Sequence, residues 1–200
     1  NVSDPTSPER KAIITDGVQA SFLNIPYRCA ISGSMLYVTS VEDVVSIFDI
    51  TDPTTPQLEG EIVSGAVDSN GNSMLVGNAV AIEVDGDVAY IGSDQHDRLS
   101  IINVSDSANP ELLFEIVDGS DGFNYVGNVQ SIIVDGDFLY FNSGDEDAVT
   151  IADISNTSSP TRLAELVQGD GTFTALDNPR WMGLRGSVLY VPSKDSDSVT

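Results

Sequence analysis

The side chains with the clearest chemical potential are carboxylates grouped in short loops. They recur in three places: Asp94 and Asp97, then Asp145, Glu146 and Asp147, then Asp195 and Asp197. Hard oxygen ligands at nearly alternate positions suit Ca²⁺, which takes six to eight oxygens from carboxylates and carbonyls. A divalent cation would also relieve the repulsion among like charges held together. The loops therefore indicate solvated acidic loops, the favoured interpretation, or binding of Ca²⁺ by at least one of them as the alternative. Residues 68–73 resemble the start of an EF-hand loop but lack its later glycine and glutamate.

Candidate ligand-binding residues either recur with the repeat or interrupt it. The recurring ones are asparagines fifty residues apart: Asn78, Asn128 and Asn178. They predict a structural turn before each channel-lining strand or, alternatively, a ring of amides around a channel mouth. The interrupting ones are Arg28, Arg180 and Trp181. These could bind an anionic or sugar group, or the arginines could simply pair with nearby carboxylates.

Nucleophilic chemistry has little support in this sequence. Cys29 is the one thiol, and its repeat equivalents are the apolar Ile82, Ile132 and Met182, so we expect it to be buried and inert. His96 is the one histidine and is expected to be an exposed loop residue, with a role as a single metal ligand as the alternative. Since no nucleophile has a base to activate it, the sequence favours a non-enzymatic role.

Charge excludes two classes of partner. The 200 residues contain 31 Asp and Glu but only 8 Lys and Arg, which gives a net charge of -23. Nucleic acids and anionic membrane surfaces are bound by clustered basic residues. No apolar run approaches the roughly 20 residues of a membrane span. We therefore expect no nucleic-acid partner and no membrane insertion.

Two motifs that recur in phase four times predict the elements that hold these residues. The first is an Asx/Pro turn, at 1–8, 49–56, 103–110 and 153–160. The second is a glycine turn followed by a tyrosine, with the tyrosines at Tyr37, Tyr90, Tyr140 and Tyr190. Asp-Gly between alternating apolar runs indicates a tight hairpin, and each unit contains four short strands. The repeat units are approximately 1–48, 49–102, 103–152 and 153–200.

Tandem four-stranded units of about fifty residues are typical of propeller blades. We therefore predict an all-β fold with almost no helix, namely a β-propeller of four-stranded antiparallel blades. The first strand of each blade should line a central channel. The tyrosines should occupy equivalent places.

The motif Gly-x-apolar-x-Tyr-apolar followed by Ser-Ile-x-(Asp/Asn)-(Ile/Val)-(Ser/Thr)-Asp-x-x-x-Pro resembles that of the LVIVD-repeat propellers, relatives of the YVTN-type surface-layer propellers. The resemblance covers the whole chain, although Asn156 and the Trp181-Met182 pair depart from the pattern. It implies a secreted or cell-surface protein of bacteria or archaea with no assigned reaction. The expected role is adhesion, scaffolding or extracellular assembly, with other protein subunits or surface glycans as partners. The alternatives are a Ca²⁺-dependent, phosphoesterase-like hydrolase and a sugar- or peptide-binding module.

The last repeat unit reads as an unfinished blade, which favours a four-blade slice of a longer array. Residues 9–14 carry the apolar pair that a missing outer strand would need. We expect them to dock onto a blade built from 181–200 of the same chain if the ring has four blades. If the ring is larger, we expect them to dock onto a preceding blade that is supplied by sequence outside these 200 residues or by a neighbouring subunit. Finding 9–14 unpaired in solvent would contradict both versions.

Overall fold

The computed structural model describes residues 1–18, 20 and 23–200, and within them it contains sixteen strands and no helix. Blade 1 comprises β1 (Pro26–Ser32), β2 (Met35–Ser40), β3 (Val44–Asp49) and β4 (Gln57–Val63). Blade 2 comprises β5 (Ala79–Asp85), β6 (Val88–Ser93), β7 (Arg98–Asn103) and β8 (Glu111–Val117). Blade 3 comprises β9 (Ile132–Asp135), β10 (Phe138–Ser143), β11 (Ala148–Asp153) and β12 (Thr161–Val167). Each of these blades is an antiparallel meander in which consecutive strands pair.

Blade 4 has shorter strands. β13 (Gly183–Arg185) pairs with β14 (Val188–Tyr190), and β15 (Pro192–Ser193) pairs with β16 (Ser198–Val199). The described residues contain no helix long and apolar enough to cross a membrane. The all-β architecture of antiparallel blades predicted from the repeat is confirmed.

Turn chemistry explains why every blade begins with the same hairpin. Gly33, Gly86, Gly136 and Gly186 all have φ between 55° and 59°, a region that glycine enters without the steric cost of a Cβ. The tyrosine that follows each turn pairs with the first strand at matching positions, opposite Ala30, Glu83, Ile133 and Gly183. The predicted equivalence of the four tyrosines is therefore confirmed.

The second turn is held by a carboxylate that caps its own backbone. In blade 1, Asp52 accepts hydrogen bonds from the hydroxyl of Thr54 at 2.6 Å and from its backbone N–H at 2.9 Å. These bonds, the side-chain bond first, lower the pKa of Asp52. Asp106 caps the corresponding turn of blade 2, with Asn109 and Ala108 as donors. Asx side chains commonly close turns in this way.

The core lies between blades, where one face of a blade packs against the opposite face of the next. We call the side toward the preceding blade the leading face and the other side the trailing face. Tyr37 and Ile47, on the trailing face of blade 1, join Ile82 and Ile91, on the leading face of blade 2. Matching clusters join blade 2 to blade 3 and blade 3 to blade 4. The first strands of neighbouring blades also contact each other, β1 with β5 and β5 with β9.

Two expectations about individual segments are wrong. Cys29 is exposed rather than buried, because it lies on the leading face of blade 1, which no other blade of residues 1–18, 20 and 23–200 covers. Residues 9–14 form no strand and do not pair with 196–200, and Ile13 is exposed. Closure of the blade by 9–14 of the same chain is therefore not found. Docking of 9–14 on a preceding blade, supplied by sequence outside these 200 residues or by a neighbouring subunit, stays a prediction.

Candidate functional site

One repeat position of every blade borders the centre of the molecule. Its occupants are Arg28, Ala81, Ser131 and Trp181. They line a central cavity of about 190 Å³ together with Gln130, Ile82, Ile132 and Met182. Blades 2 and 3 have small residues at this position, whereas blades 1 and 4 have a cation and a large aromatic ring. The repeat is therefore broken where two unlike side chains can meet.

The guanidinium of Arg28 contacts two aromatic rings. Its Cζ is 4.9 Å from the ring centroid of Trp181 and 5.3 Å from that of Tyr27, within cation–π range. The backbone is held by Thr39, whose hydroxyl accepts the Arg28 N–H at 3.0 Å. Among the described residues, the buried Nη2 of Arg28 has no hydrogen-bond partner. Aromatic faces thus position this cation, and one of its buried donors has no partner in the described part of the chain.

A larger cavity of about 390 Å³ adjoins this cluster, between blade 4 and blade 1. Its walls are Tyr27, Arg180, Trp181, Pro192, Ser193 and Lys194. The buried Nε of Arg180 also lacks a partner within the described part of the chain. The ion pairs of the described residues are Lys11–Glu9, Arg98–Glu115 and Arg162–Glu165, and none of them involves Arg28 or Arg180. Pairing of Arg28 and Arg180 with local carboxylates, one of the two alternatives, is therefore not found in residues 1–18, 20 and 23–200.

Asn142 holds the backbone at Pro179 and Arg180 by hydrogen bonds. This completely buried side chain accepts the N–H groups of Gln130 at 3.1 Å and Ser131 at 2.7 Å through Oδ1. Its Nδ2 donates to the carbonyl of Pro179 at 2.6 Å and to that of Arg180 at 2.9 Å. One amide thus satisfies four backbone groups and joins blade 3 to blade 4. Sequence reasoning missed it, although its repeat equivalents are the dissimilar Thr39, Gly92 and Pro192.

The recurring asparagines and the acidic loops bind each other. The Nδ2 of each asparagine donates to the first carboxylate of the acidic loop in its own blade. These pairs are Asn78–Asp94 at 2.8 Å, Asn128–Asp145 at 3.0 Å and Asn178–Asp195 at 2.8 Å. All three asparagines have φ near 50°, which Asn tolerates better than most residues. Their positions agree with the structural-turn alternative, and ligand binding by them stays a prediction.

Other carboxylates of the acidic loops join consecutive blades. Asp147 accepts the backbone N–H of Asn178 in the next blade at 2.7 Å. Asp43 in blade 1 makes the equivalent bond to Asn78 at 2.9 Å. Within blade 3, Glu146 accepts the N–H of Gly127 at 3.0 Å and the hydroxyl of Ser143 at 2.9 Å. These bonds give the carboxylates a role in stability that requires no metal.

The remaining metal candidates lie apart from one another. Asp97 and Asp197 both have φ of 48°, each in the acidic loop of its own blade. His96 is half-buried rather than exposed, and its Nε2 would lie 2.7 Å from a Cβ placed on Gly77. Within the ranges that the structure describes, no three His, Cys, Asp or Glu side chains are grouped as a metal site. Binding of Ca²⁺ by the acidic loops stays a prediction.

The EF-hand-like segment 68–73 is a closed turn. Asp68 accepts the backbone N–H groups of Asn70 at 2.9 Å and Asn72 at 2.8 Å, and that of Leu112 at 3.0 Å. Its carboxylate thus caps the turn and ties the long loop to the outer strand of blade 2.

Comparison with solved structures places the fold. The computationally designed Ika4 protein superimposes with a TM-score of 0.63 at 11% identity, covering 97% of this chain and 96% of that one. A functionally unknown protein from Desulfotomaculum acetoxidans gives 0.64 at 17% identity, covering 87% of this chain and 53% of that one. Hydrazine synthase from Kuenenia stuttgartiensis gives a TM-score of 0.62 at 16% identity, covering 92% of this chain and 46% of that one. The chain therefore spans about half the length of the two natural proteins, and identities this low show the fold alone.

Sequence comparison identifies the repeat. No functionally curated protein is detectably similar to this sequence. The family model described as the LVIVD repeat matches residues 27–63, 76–118 and 126–165, which together make up more than half of the chain and fall on blades 1, 2 and 3. The chain therefore belongs to the LVIVD-repeat family, and its fold is that of a β-propeller.

Proposed function

We propose that this chain is a non-enzymatic binding module of a secreted or cell-surface protein, acting in adhesion, scaffolding or extracellular assembly. The resemblance of its repeats to those of surface propellers supports the location. The cavity between blades 4 and 1 supports the binding role, and its chemistry suggests acidic units of a surface glycan as the ligand.

The observation that carries this proposal is a local excess of positive charge. Arg28, Arg180 and Lys194 lie at or beside one cavity, although the whole chain has only eight basic residues and a net charge of -23. None of the three forms an ion pair within the described residues. A ligand carboxylate would supply the missing negative charge, and charge-assisted hydrogen bonds to arginine are among the strong ones.

The aromatic rings add a surface suited to sugar. Tyr27 and Trp181 are both exposed and line the same cavity. Aromatic side chains with one wet edge and one apolar face are well suited to binding surfaces. A sugar ring could therefore pack on these faces while its carboxylate reaches Arg180 and Lys194. An uronate-containing oligosaccharide combines both features.

The experiment compares an oligouronate with a neutral oligosaccharide of equal length by titration calorimetry. We expect the oligouronate alone to bind, and its affinity to fall with rising salt. A hydrogen bond to a charged group contributes about 1.5–3 kcal/mol, so Arg180→Ala should weaken binding by roughly 10- to 100-fold. Arg162→Ala is the matched control, because Arg162 pairs with Glu165 on the outer strand of blade 3.

Three results would overturn this proposal. They are equal affinity for the neutral sugar, no binding of either sugar at millimolar concentration, and an equal loss in the Arg162→Ala control. Conversion of the oligosaccharide into shorter products during incubation, measured by mass spectrometry, would contradict its non-enzymatic part.

A further inference from the structure

Two rows of hydrogen bonds run inward from exposed carboxylates at the junction of blades 3 and 4. In the first row, the Nδ2 of Asn128 donates to Asp145 at 3.0 Å, and the Nε2 of Gln130 donates to the Oδ1 of Asn128. In the second row, the Nδ2 of Asn178 donates to Asp195 at 2.8 Å. The rows end at the Oε1 of Gln130 and the Oδ1 of Asn178, which are buried without a partner among the described residues.

The carboxylates determine which way each amide points. An amide must turn its nitrogen toward a carboxylate, because an amide oxygen in that place would be repelled. Asn178 therefore turns its oxygen away from Asp195. Asn128 likewise presents its Oδ1 to Gln130, which must answer with its nitrogen and so keeps its Oε1 at the inner end. The two unpartnered oxygens thus follow from the hydrogen-bond network, which removes the usual ambiguity between amide oxygen and nitrogen.

Both rows end beside a space that exists because residue 144 is a glycine. A Cβ on this buried glycine would lie 3.5 Å from the Oδ1 of Asn178, 3.4 Å from the Cγ of Gln130 and 3.4 Å from the backbone oxygen of Asn128. These are ordinary van der Waals distances, so the space has about the size of one methyl group. The side chain of Gln130 is only 5% exposed, so bulk water does not satisfy its oxygen.

Blade 2 shows that the turn itself needs neither of these features. Its residue at the position of Gly144 is Asp94, whose carboxylate bonds to Asn78 at 2.8 Å. Its residue at the position of Gln130 is the apolar Val80, which cannot extend a row of amides. Blade 3 thus combines a second amide with a missing side chain, and both changes face the same space.

We propose that the space beside Gly144 binds one monovalent metal cation, Na⁺ or K⁺. Its ligands in this chain are the Oδ1 of Asn178, the Oε1 of Gln130 and the backbone oxygen of Asn128. Neutral carbonyl oxygens of this kind replace the hydration shell of K⁺ in channels. Hydrogen bonds in a chain polarise one another, so each carboxylate makes the oxygen at the inner end of its row more negative.

The neutral ligands favour a single charge on the ion. A divalent ion loses much more hydration energy on burial, and Ca²⁺ sites in proteins usually recover it through carboxylates. The three atoms of the described residues that lie nearest to the space include no carboxylate oxygen. The space is also too small for an organic cation.

The experiment compares melting temperatures in NaCl, KCl and N-methylglucamine chloride at equal ionic strength, so that screening is constant and only the cation changes. A ligand that binds only the folded state stabilises it by mass action. At ten times its dissociation constant, Na⁺ or K⁺ should raise the melting temperature of a domain of this size by roughly 3–6 °C above the value in the organic salt.

Gly144→Ala fills the space with a methyl group and should abolish this rise. The variant should fold, because its Cβ makes ordinary contacts and the φ of Gly144 is not positive. Gly127→Ala is the matched control: Gly127 is also buried, and its Cβ would lie 3.4 Å from the Cδ of Glu146, so the rise should persist. Gln130→Met keeps the length of the side chain but lacks the oxygen, and it should reduce the rise.

A second pair of variants tests the rows of hydrogen bonds. Asp195→Asn removes the charge from the outer end of one row but leaves an oxygen that can accept the bond from Asn178. It should increase several-fold the ion concentration that gives half of the rise. Asp197→Asn removes the same charge from the same loop outside both rows, and it should leave that concentration unchanged.

Equal melting temperatures in the three salts would overturn the proposal and leave an ordered water as the occupant of the space. So would a rise that is equally large in Gly144→Ala, or one that Gly127→Ala also loses. Equal effects of Asp195→Asn and Asp197→Asn would overturn the role of the rows. The residues that line the cavity between blades 4 and 1 do not include the three ligands, so this result is independent of sugar binding.

Discussion

Asn142→Ala should be one of the most destabilising single substitutions in this chain. The amide of Asn142 bonds to four backbone groups, namely the N–H groups of Gln130 and Ser131 and the carbonyls of Pro179 and Arg180. The side chain is completely buried, so water cannot easily replace it. Truncation therefore leaves two donors and two acceptors without partners between blades 3 and 4.

The expected magnitude follows from the number of groups left unsatisfied. Each buried group without a partner costs about 1–3 kcal/mol, and local relaxation recovers part of the sum. We expect the free energy of unfolding to fall by about 4 kcal/mol, near the upper end of single-mutant effects. For a domain of this size, 1 kcal/mol shifts the melting temperature by roughly 2–4 °C. The melting temperature should therefore fall by roughly 8–16 °C.

The assay is urea unfolding followed by circular dichroism, with Asn124→Ala as the matched control. Asn124 is exposed, and its Nδ2 donates to Gly122 and Glu165, so the control should change by less than about 1 kcal/mol. Asn142→Asp is a second variant of equal size, which places an oxygen against two carbonyl oxygens. Its loss should match that of the alanine variant at pH 7. A loss in Asn142→Ala no larger than in the control would refute the reasoning.

Three further predictions concern close packing, calcium and pH. Gly60→Ala should lower the melting temperature, because a Cβ on Gly60 would lie 1.7 Å from the carbonyl oxygen of Ser107. Gly183→Ala is the control and should not lower it, because Gly183 faces open space. Equal shifts of the melting temperature in the two variants would contradict this. Millimolar Ca²⁺ should raise the melting temperature, because a ligand that binds the native state stabilises it by mass action. The rise should disappear when Asp145 and Asp147 are both replaced. A melting curve that neither Ca²⁺ nor chelator changes would contradict Ca²⁺ binding and favour the interpretation of the loops as solvated. Hydrogen bonds from nearby side chains and backbone N–H groups lower the pKa of the turn-capping carboxylates Asp4, Asp49, Asp52, Asp106 and Asp153. Their contribution to stability is therefore present above the ordinary aspartate pKa of about 3.9 and is lost as the pH falls through the lower folded values. Urea midpoints that do not decline below about pH 4 would disprove this.

The blade itself could be predicted from the sequence because its signals are local. Gly86 permits the positive φ that a tight hairpin needs, and Asp106 closes the turn before the outer strand with its own side chain. Alternation of apolar residues then determines which side chains share a face of the sheet. Since these signals recur four times in phase, they also predicted the equivalent positions of the tyrosines.

Burial at the two ends of the array could not be predicted in the same way. The register correctly aligned Cys29 with Ile82, yet Ile82 is buried and Cys29 is exposed. The strand position of a residue depends on its own repeat, whereas its burial depends on a neighbouring blade. The same reason explains why Tyr190 is exposed while its repeat equivalent Tyr90 is buried.

The candidate site was predicted only in part. Arg28, Arg180 and Trp181 stood out because they interrupt the repeat, but the sequence left open whether the arginines pair with carboxylates. Packing of the blades brought Arg28 against Trp181 and left its Nη2 without a partner among the residues that the structure describes.

The sequence by itself therefore determined the blade, its turns and the positions where the repeat is broken, because those features rest on contacts between residues close in the chain. Only the tertiary structure decided which broken positions meet, that Asn142 joins two blades through four backbone groups, and that the first and last blades each leave a face open. These outcomes depend on the distance and angle between blades, which arise from packing between segments about fifty or more residues apart.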